Sequence, residues 1–173
     1  MKKTKIVLDA DVIIHFAKGG MLNLLPQFLK EYQFIVLDVV KNELRGEILR
    51  QLERQIYLLR NIDEETFGQS SEQRKEFARL TSISGLALGR GESACMVYCR
   101  YNHDVVGSSN VSDVTAYCTE HGITYLTTND FLYYGISRGI ITKEQALEFI
   151  HEVRSKGSFP PAVDFETYVC SKL

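Results

Sequence analysis

The stretch Lys5-Ile6-Val7-Leu8-Asp9-Ala10-Asp11 places a short apolar run directly before two carboxylates. Residues 6–8 are aliphatic and too few for a helix, so they predict a strand buried on both faces, as in a parallel sheet. In open α/β sheets, ligands bind at the carboxyl ends of the strands. Asp9 therefore lies at the predicted binding edge, and acids that follow later strands are expected to meet it there.

Strands and helices alternate along the rest of the chain, which predicts a three-layer α/β/α fold with a mostly parallel sheet of four or five strands. Aliphatic runs predict further strands at 34–37, 104–108 and 123–127, and a short extended piece at 62–67. Apolar spacing and capping signals predict helices at 39–60, 71–80, 88–101, 111–121, 142–156 and 163–170. The capping signals are Ser109-Asn110 before and Gly122 after the helix 111–121, and a capping box at Thr142 and Gln145. Pro26 either bends a helical segment at 21–30 or begins a second short helix.

The length of 173 residues fits one domain, 1–173, that is long enough to bury a core. Residues 61–88 are the least regular part and read as a helical insertion or lid, with a loop at 82–85. Residues 142–173 read as a C-terminal helical extension.

Composition is that of an ordinary globular protein, with 24% charged and 45% hydrophobic residues. No apolar run approaches the roughly 20 residues that span a bilayer, and the N-terminus does not resemble a signal peptide, so we expect no membrane contact and a cytoplasmic location. The four cysteines lack zinc-ligand spacing and are expected to be reduced and buried. A net charge of −2 means that any nucleic-acid site must be a local patch or must use metal ions.

An acid follows each of the predicted strands: Asp9 the first, Asp38 and Glu43 the second, Asp113 the third and Asp130 the fourth. Converging carboxylates without a fixed cation raise one another's pKa unless a divalent metal neutralises them. Oxygen ligands suit Mg²⁺ or Mn²⁺, and a pair of such ions about 4 Å apart is a common device for phosphodiester hydrolysis.

Five motifs carry Asp9, Glu43, Asp113 and Asp130 together with one further acid, Glu92. In chain order they are IVLDADVIIHF (6–16), VVKNELRG (39–46), GRGESA (89–94), NVSDVTAYCTEHGI (110–123) and YLTTND (125–130). Together they resemble the PIN-domain family of metal-dependent nucleases, which includes the VapC toxins of toxin–antitoxin pairs. The resemblance covers the chain from Ile6 to about Phe131.

This resemblance implies an RNase H-like architecture and an endoribonuclease that hydrolyses RNA with one or two Mg²⁺ or Mn²⁺ ions. It implies that Asp9, Glu43, Asp113 and Asp130 are catalytic and bind the metal, and that Glu92 is a further metal ligand. By the same resemblance, the partners are an RNA substrate, a second copy of the chain in a homodimer and a small antitoxin protein.

The chain departs from the family pattern at two places. Many relatives carry aspartates where this sequence has Ser108-Ser109-Asn110, so either Asp113 or Asn110 supplies the third ligand, with Ser108 and Asn110 orienting water or ligands. Asp11 stands where the family has a small neutral polar residue, and it either binds metal through water or caps the following helix. Arg90 is the best candidate for a phosphate contact.

Other interpretations stay open. Each acid after Asp9 also fits helix capping or the helix dipole, and His15 fits a packed core residue. A PIN-like fold with an incomplete acid set would be a catalytically impaired module that binds RNA or protein. The stretch Leu8-Asp9-Ala10-Asp11-Val12 also resembles the opening of haloacid-dehalogenase phosphatases, with Asp9 as nucleophile and Ser108 or Thr127 holding phosphate.

Overall fold

The computed structural model describes residues 2–82 and 88–173. Its strands are Lys5–Leu8 (β1), Gln33–Leu37 (β2), Asp63–Glu65 (β3), Val105–Gly107 (β4) and Tyr125–Leu126 (β5). Its α-helices are Ala10–Lys18 (α1), Leu25–Phe28 (α2), Asp38–Lys41 (α3), Gly46–Glu53 (α4), Ser71–Ser82 (α5), Arg90–Asn102 (α6), Val111–His121 (α7), Thr128–Ser137 (α8) and Lys143–Ser155 (α9). A π-helix, Arg54–Leu59, continues α4.

The strands form one parallel sheet in the order β3-β2-β1-β4-β5. β1 is central, and Ile6, Val7 and Leu8 are wholly buried because helices cover both faces of the sheet. One group of packed helices contains α1, α2, α4, α8 and α9, and the other contains α3, α5, α6 and α7. The predicted three-layer α/β/α fold is therefore confirmed.

Parallel strands bring their carboxyl ends to one edge, and the segments that follow β1, β2 and β4 begin there. Asp9 directly follows β1, and the Asp9 N–H donates to the carbonyl of Gly107 at the end of β4 (2.8 Å). The Ser108 N–H in turn donates to Leu126 in β5 (2.9 Å). These bonds align the ends of the three strands, so the residues after them share one edge of the sheet.

The predicted single helix 39–60 is wrong, because the structure divides this segment. The chain leaves α3 at Asn42 and begins α4 only at Gly46, whose φ of +59° is left-handed and favours glycine. Residues Arg54–Leu59 then form the π-helix. The break matters for the site because it places Glu43 in a turn instead of within a long helix.

The predicted helix 163–170 is also wrong. Only a turn at residues 165–167 is formed there, and the Asp164 carboxylate accepts from the Glu166 N–H (3.0 Å), which stabilises that turn. The segment then runs on without regular structure to Lys172. By contrast, the predicted capping box at Thr142 and Gln145 is confirmed as the start of α9.

Residues 61–82 belong to the body of the fold. The extended piece predicted at 62–67 contains the edge strand β3, which pairs with β2. Helix α5 packs against α6. Ser82 ends α5, and the rest of the loop predicted at 82–85 lies outside the described residues. Pro26 lies in the first turn of the short helix α2, which confirms the second of its two predicted roles.

In the described part of the chain, no helix is both long and apolar enough to cross a membrane. The four cysteines are free and buried, as predicted.

Candidate active site

Asp9 is a buried acid at the carboxyl edge of the sheet, with 3% of its surface exposed. It is the N-cap of α1, and its Oδ1 accepts from the Ala10 N–H (2.8 Å). Its Oδ2 accepts from the Ser108 hydroxyl after β4 (3.3 Å). The carboxylate therefore bridges the ends of two neighbouring strands.

Asp11 lies in the first turn of α1 and points to the same loop. Its Oδ1 accepts from the Val12 N–H (2.7 Å) and its Oδ2 from the Ser109 N–H (2.8 Å). Asp11 therefore contacts the first turn of α1 through Val12, as the second of its two predicted roles requires. It also contacts the loop after β4 through Ser109.

Glu43 reaches this edge from the turn after α3. Its Oε1 accepts from the Gly91 N–H at the start of α6 (2.9 Å). A Cβ atom at residue 91 would lie 2.8 Å from Glu43 Oε2, so only glycine fits there without displacing the carboxylate. The GRGESA motif therefore has a physical reason for its second glycine.

Glu92 and Asp113 meet through one side chain. The Asn110 amide nitrogen donates to Glu92 Oε1 (2.6 Å) and to Asp113 Oδ2 (2.9 Å). Glu92 Oε2 is buried and has no hydrogen-bond partner among the described residues. Asn110 occupies the N-cap position of α7, as predicted, but its side chain bridges these two acids instead of capping the helix.

The loop Ser108-Ser109-Asn110 thus contacts four acids. Ser108 contacts Asp9, Ser109 contacts Asp11, and Asn110 contacts both Glu92 and Asp113. We call Asp9, Asp11, Glu43, Glu92 and Asp113 the acidic site. In the part of the chain that the structure describes, none of these five carboxylates forms an ion pair.

The electrostatics confirm that the acids lie close to one another. Burial raises the pKa of Asp9 well above its usual range, and the charges of Asp11, Glu92 and Glu43 raise it further. Burial also raises the pKa of Asp11 to about 6, against the hydrogen bonds that it accepts. The pKa of Glu92 is raised by burial and by Asp113, although the Asn110 amide opposes this shift.

Asp130 is the predicted site residue whose two oxygens are both bound by residues outside the acidic site. It is fully buried at the third position of α8, where it forms a capping box with Thr127. Tyr168 donates to its Oδ1, and Lys172 forms an ion pair with its Oδ2 (2.7 Å). Burial favours a higher pKa, but Lys172, the Thr127 N–H and Tyr168 together hold the pKa of Asp130 below its usual value.

Two arginines flank the acidic site in sequence. Arg90 precedes Gly91, and its guanidinium lies 5.1 Å from the centre of the Phe77 ring. Arg45 follows Glu43 by two residues and donates to the carbonyl of Leu44 (2.7 Å). Neither arginine forms an ion pair with any residue in 2–82 or 88–173.

The side chains of the acidic site offer only carboxylate oxygens as metal ligands, and such ligands suit Mg²⁺ or Mn²⁺. However, among the described residues no group of three His, Cys, Asp or Glu side chains is arranged to hold an ion. The Asn110 amide donates to one oxygen of Glu92 and to one of Asp113. The second oxygen of Glu92, Oε2, has no hydrogen-bond partner among the described residues and is free to take a ligand.

The sequence interpretation missed the polar residues that support the loop. Thr128 at the start of α8 donates its N–H to Ser109 Oγ (2.8 Å), and its hydroxyl contacts His15. Hydroxyl residues directly after two adjacent strands were a usable signal, because such residues must meet at the common edge.

Comparison with protein-family models, curated proteins and solved structures finds no match to this chain. The resemblance to PIN nucleases therefore stays a prediction that rests on the sequence motifs.

Proposed function

We propose that this protein is a metal-dependent ribonuclease that hydrolyses RNA phosphodiester bonds at the acidic site. The observation that carries the proposal is the gathering of five carboxylates from four separate segments, without an ion-pair partner among the described residues. Burial raises the pKa of Asp9, and the charges of three neighbouring acids raise it further. Uncompensated negative charge of this kind is what a divalent cation neutralises.

In this proposal Asp9, Glu43, Glu92 and Asp113 hold Mg²⁺ or Mn²⁺, with Asp11 acting through water. The ion supplies Lewis-acid stabilisation of the phosphoryl oxygens when bound. The chain's own contribution is to collect the carboxylates and to hold Asp9 through Ser108. We leave Asp130 out of this set, because Lys172 and Tyr168 engage its oxygens.

The substrate is proposed from the cations beside the site and from the resemblance to PIN nucleases. Arg45 and Arg90 lie next to Glu43 and Gly91 and lack acidic partners among the described residues, so both are available for phosphate groups. A role as a toxin, with a homodimer and a small antitoxin as partners, follows from the resemblance alone and is part of the same proposal.

A second candidate is a catalytically impaired module that binds RNA or protein. The Asn110 contact favours it specifically, because an uncharged amide already donates to one oxygen of Glu92 and one of Asp113. In that case the acids are stabilised without metal, and catalysis is weak or absent.

The test is cleavage of a fluorescent single-stranded RNA in Mn²⁺, in Mg²⁺ and in EDTA, combined with calorimetric titration of Mn²⁺. We expect metal-dependent cleavage that is lost in Asp9→Asn and in Glu43→Gln. Glu47→Gln is the matched control, because Glu47 lies one turn further along the chain in an exposed pair with Arg50. Equal loss in both glutamate variants would contradict the proposal.

Two further results separate the alternatives. Wild-type protein that binds no Mn²⁺ and cleaves no RNA, but gains Mn²⁺ binding in Asn110→Asp, would establish the impaired module. Hydrolysis of p-nitrophenyl phosphate that is lost in Asp9→Asn but unaffected in Glu43→Gln would instead support the phosphatase interpretation, since Glu43 has no role in that mechanism.

A further inference from the structure

A buried chain of hydrogen bonds connects His15, in the middle of α1, to the loop that contacts the acids. His15 Nδ1 lies 2.7 Å from Thr128 Oγ1, and Thr128 Oγ1 lies 2.8 Å from Ser109 Oγ. The Thr128 side chain is fully buried and His15 is 8% exposed. Because buried polar groups need partners, this chain fixes the position of all three side chains.

The direction of the bonds is set by the hydrogens that are present. Ser109 Oγ accepts from the Thr128 N–H and donates its own hydrogen to Thr128 Oγ1. The Thr128 hydroxyl then has its hydrogen left to donate to His15 Nδ1, which accepts it when the neutral ring carries its own hydrogen on Nε2. Burial lowers the pKa of His15 to about 4, with a smaller effect of Lys18, so the ring is neutral near pH 7, as an acceptor at Nδ1 requires.

Helix α1 therefore holds Ser109 at two points. Asp11 and His15 are four residues apart and share one face of the helix. Asp11 accepts the backbone N–H of Ser109, and His15 holds the Ser109 hydroxyl through Thr128. Ser109 lies between Ser108, which contacts Asp9, and Asn110, which contacts Glu92 and Asp113.

We propose that His15 is a positioning residue for the acidic site, which holds the loop 108–110 in place through Thr128 and Ser109. It touches none of the five acids through a hydrogen bond found among the described residues. The positional part of this inference stands on the contacts alone, and only its consequence for catalysis rests on the proposed function.

The test compares His15→Leu with His15→Asn in the full-length protein without metal. Leucine has a similar size but no acceptor, whereas the asparagine side-chain oxygen can replace Nδ1 as the acceptor. The readout is amide hydrogen exchange of Ser109 and Thr128 by NMR, with Val7 in the central strand as reference. We expect about tenfold faster exchange of both loop amides in the leucine variant, as for one lost hydrogen bond, and near-normal exchange in the asparagine variant.

Unchanged exchange at Ser109 in His15→Leu would overturn the inference, as would equal acceleration at Val7, which would indicate only general destabilisation. If His15→Leu does not fold, Thr128→Val and Thr128→Ser repeat the comparison, and the serine variant is expected to retain slow exchange. In an active enzyme, we also expect Mn²⁺ affinity to fall in the leucine variant and to recover in the asparagine variant. If the protein shows the predicted exchange pattern but neither binds Mn²⁺ nor cleaves RNA, the proposed ribonuclease function is refuted and the positioning role of His15 is upheld.

Discussion

Asp11→Asn is expected to stabilise the metal-free protein at neutral pH. Burial raises the pKa of Asp11 to about 6 in the folded chain, against a usual value of 3.8. The folded state therefore binds more protons than the unfolded state between these values, and stability falls as the pH rises from about 4 to 7. An uncharged side chain avoids that loss.

The magnitude follows from the size of the shift. About 2 pKa units correspond to about 3 kcal/mol of unfolding free energy that is lost above pH 7. Asparagine has one acceptor oxygen where Asp11 uses two, so one of the bonds from Val12 and Ser109 is weakened, at a cost of about 1 kcal/mol. The net gain is about 2 kcal/mol at pH 8, or a rise in Tm of about 4–8 °C for a chain of this length.

The assay is thermal unfolding in EDTA at a series of pH values from 4 to 8. We expect the advantage of Asp11→Asn to be greatest at pH 8, to decrease through pH 6 and to be absent or reversed at pH 4. Asp38→Asn is the matched control, because Asp38 also follows a strand and accepts from two backbone N–H groups, those of Val39 and Phe67. It is not among the acids whose charge raises the pKa of Asp9, and no gain is expected.

The reasoning is refuted if Asp11→Asn is neutral or destabilising at pH 8. It is also refuted if the gain is the same at all pH values, since a constant gain would come from packing and not from charge. Added Mn²⁺ is expected to stabilise the wild-type protein more than the variant, because the ion has more negative charge to neutralise there.

Two other predictions concern residues at the border of the site. Lys172→Met is expected to lower the unfolding free energy in a urea titration by about 1–3 kcal/mol, because it leaves Asp130 buried without its cation. The loss is moderated because Lys172 itself is partly exposed. The control Lys143→Met removes an exposed ion pair and is expected to cost under about 0.5 kcal/mol. Gly91→Ala is expected to displace the Glu43 carboxylate. Calorimetry should then show Mn²⁺ binding about tenfold weaker, with little change in Tm. An unchanged Mn²⁺ affinity would show that Glu43 is not a ligand.

The Lys172 prediction has a pH dependence of its own. The pKa of Asp130 is lowered in the folded state, so the stability that its ion pair provides is present above about pH 4 and is lost as the pH falls through the lowered pKa. The difference between wild-type protein and Lys172→Met is therefore expected to shrink in acid, which circular dichroism at pH 3 and pH 7 can measure.

Local sequence patterns determined most of the fold. The apolar run 6–8, the capping box at Thr142 and the glycine at 122 act through neighbours in the chain, and each element that they predict is present. Patterns failed where long-range contacts decide. The leucine-rich segment 39–60 has helical spacing throughout, but Gly46 adopts a left-handed conformation and the chain breaks there to bring Glu43 to the sheet edge.

The sequence by itself determined that acids follow the strands of a parallel sheet, because that depends only on the order of residues along the chain. The tertiary structure alone decided which acids share a site. Asp113 and Glu92 meet through Asn110, whereas Asp130 is neutralised by Lys172, 42 residues away. Whether a buried carboxylate has a cation beside it depends on distances between remote segments, and local sequence order does not contain those distances.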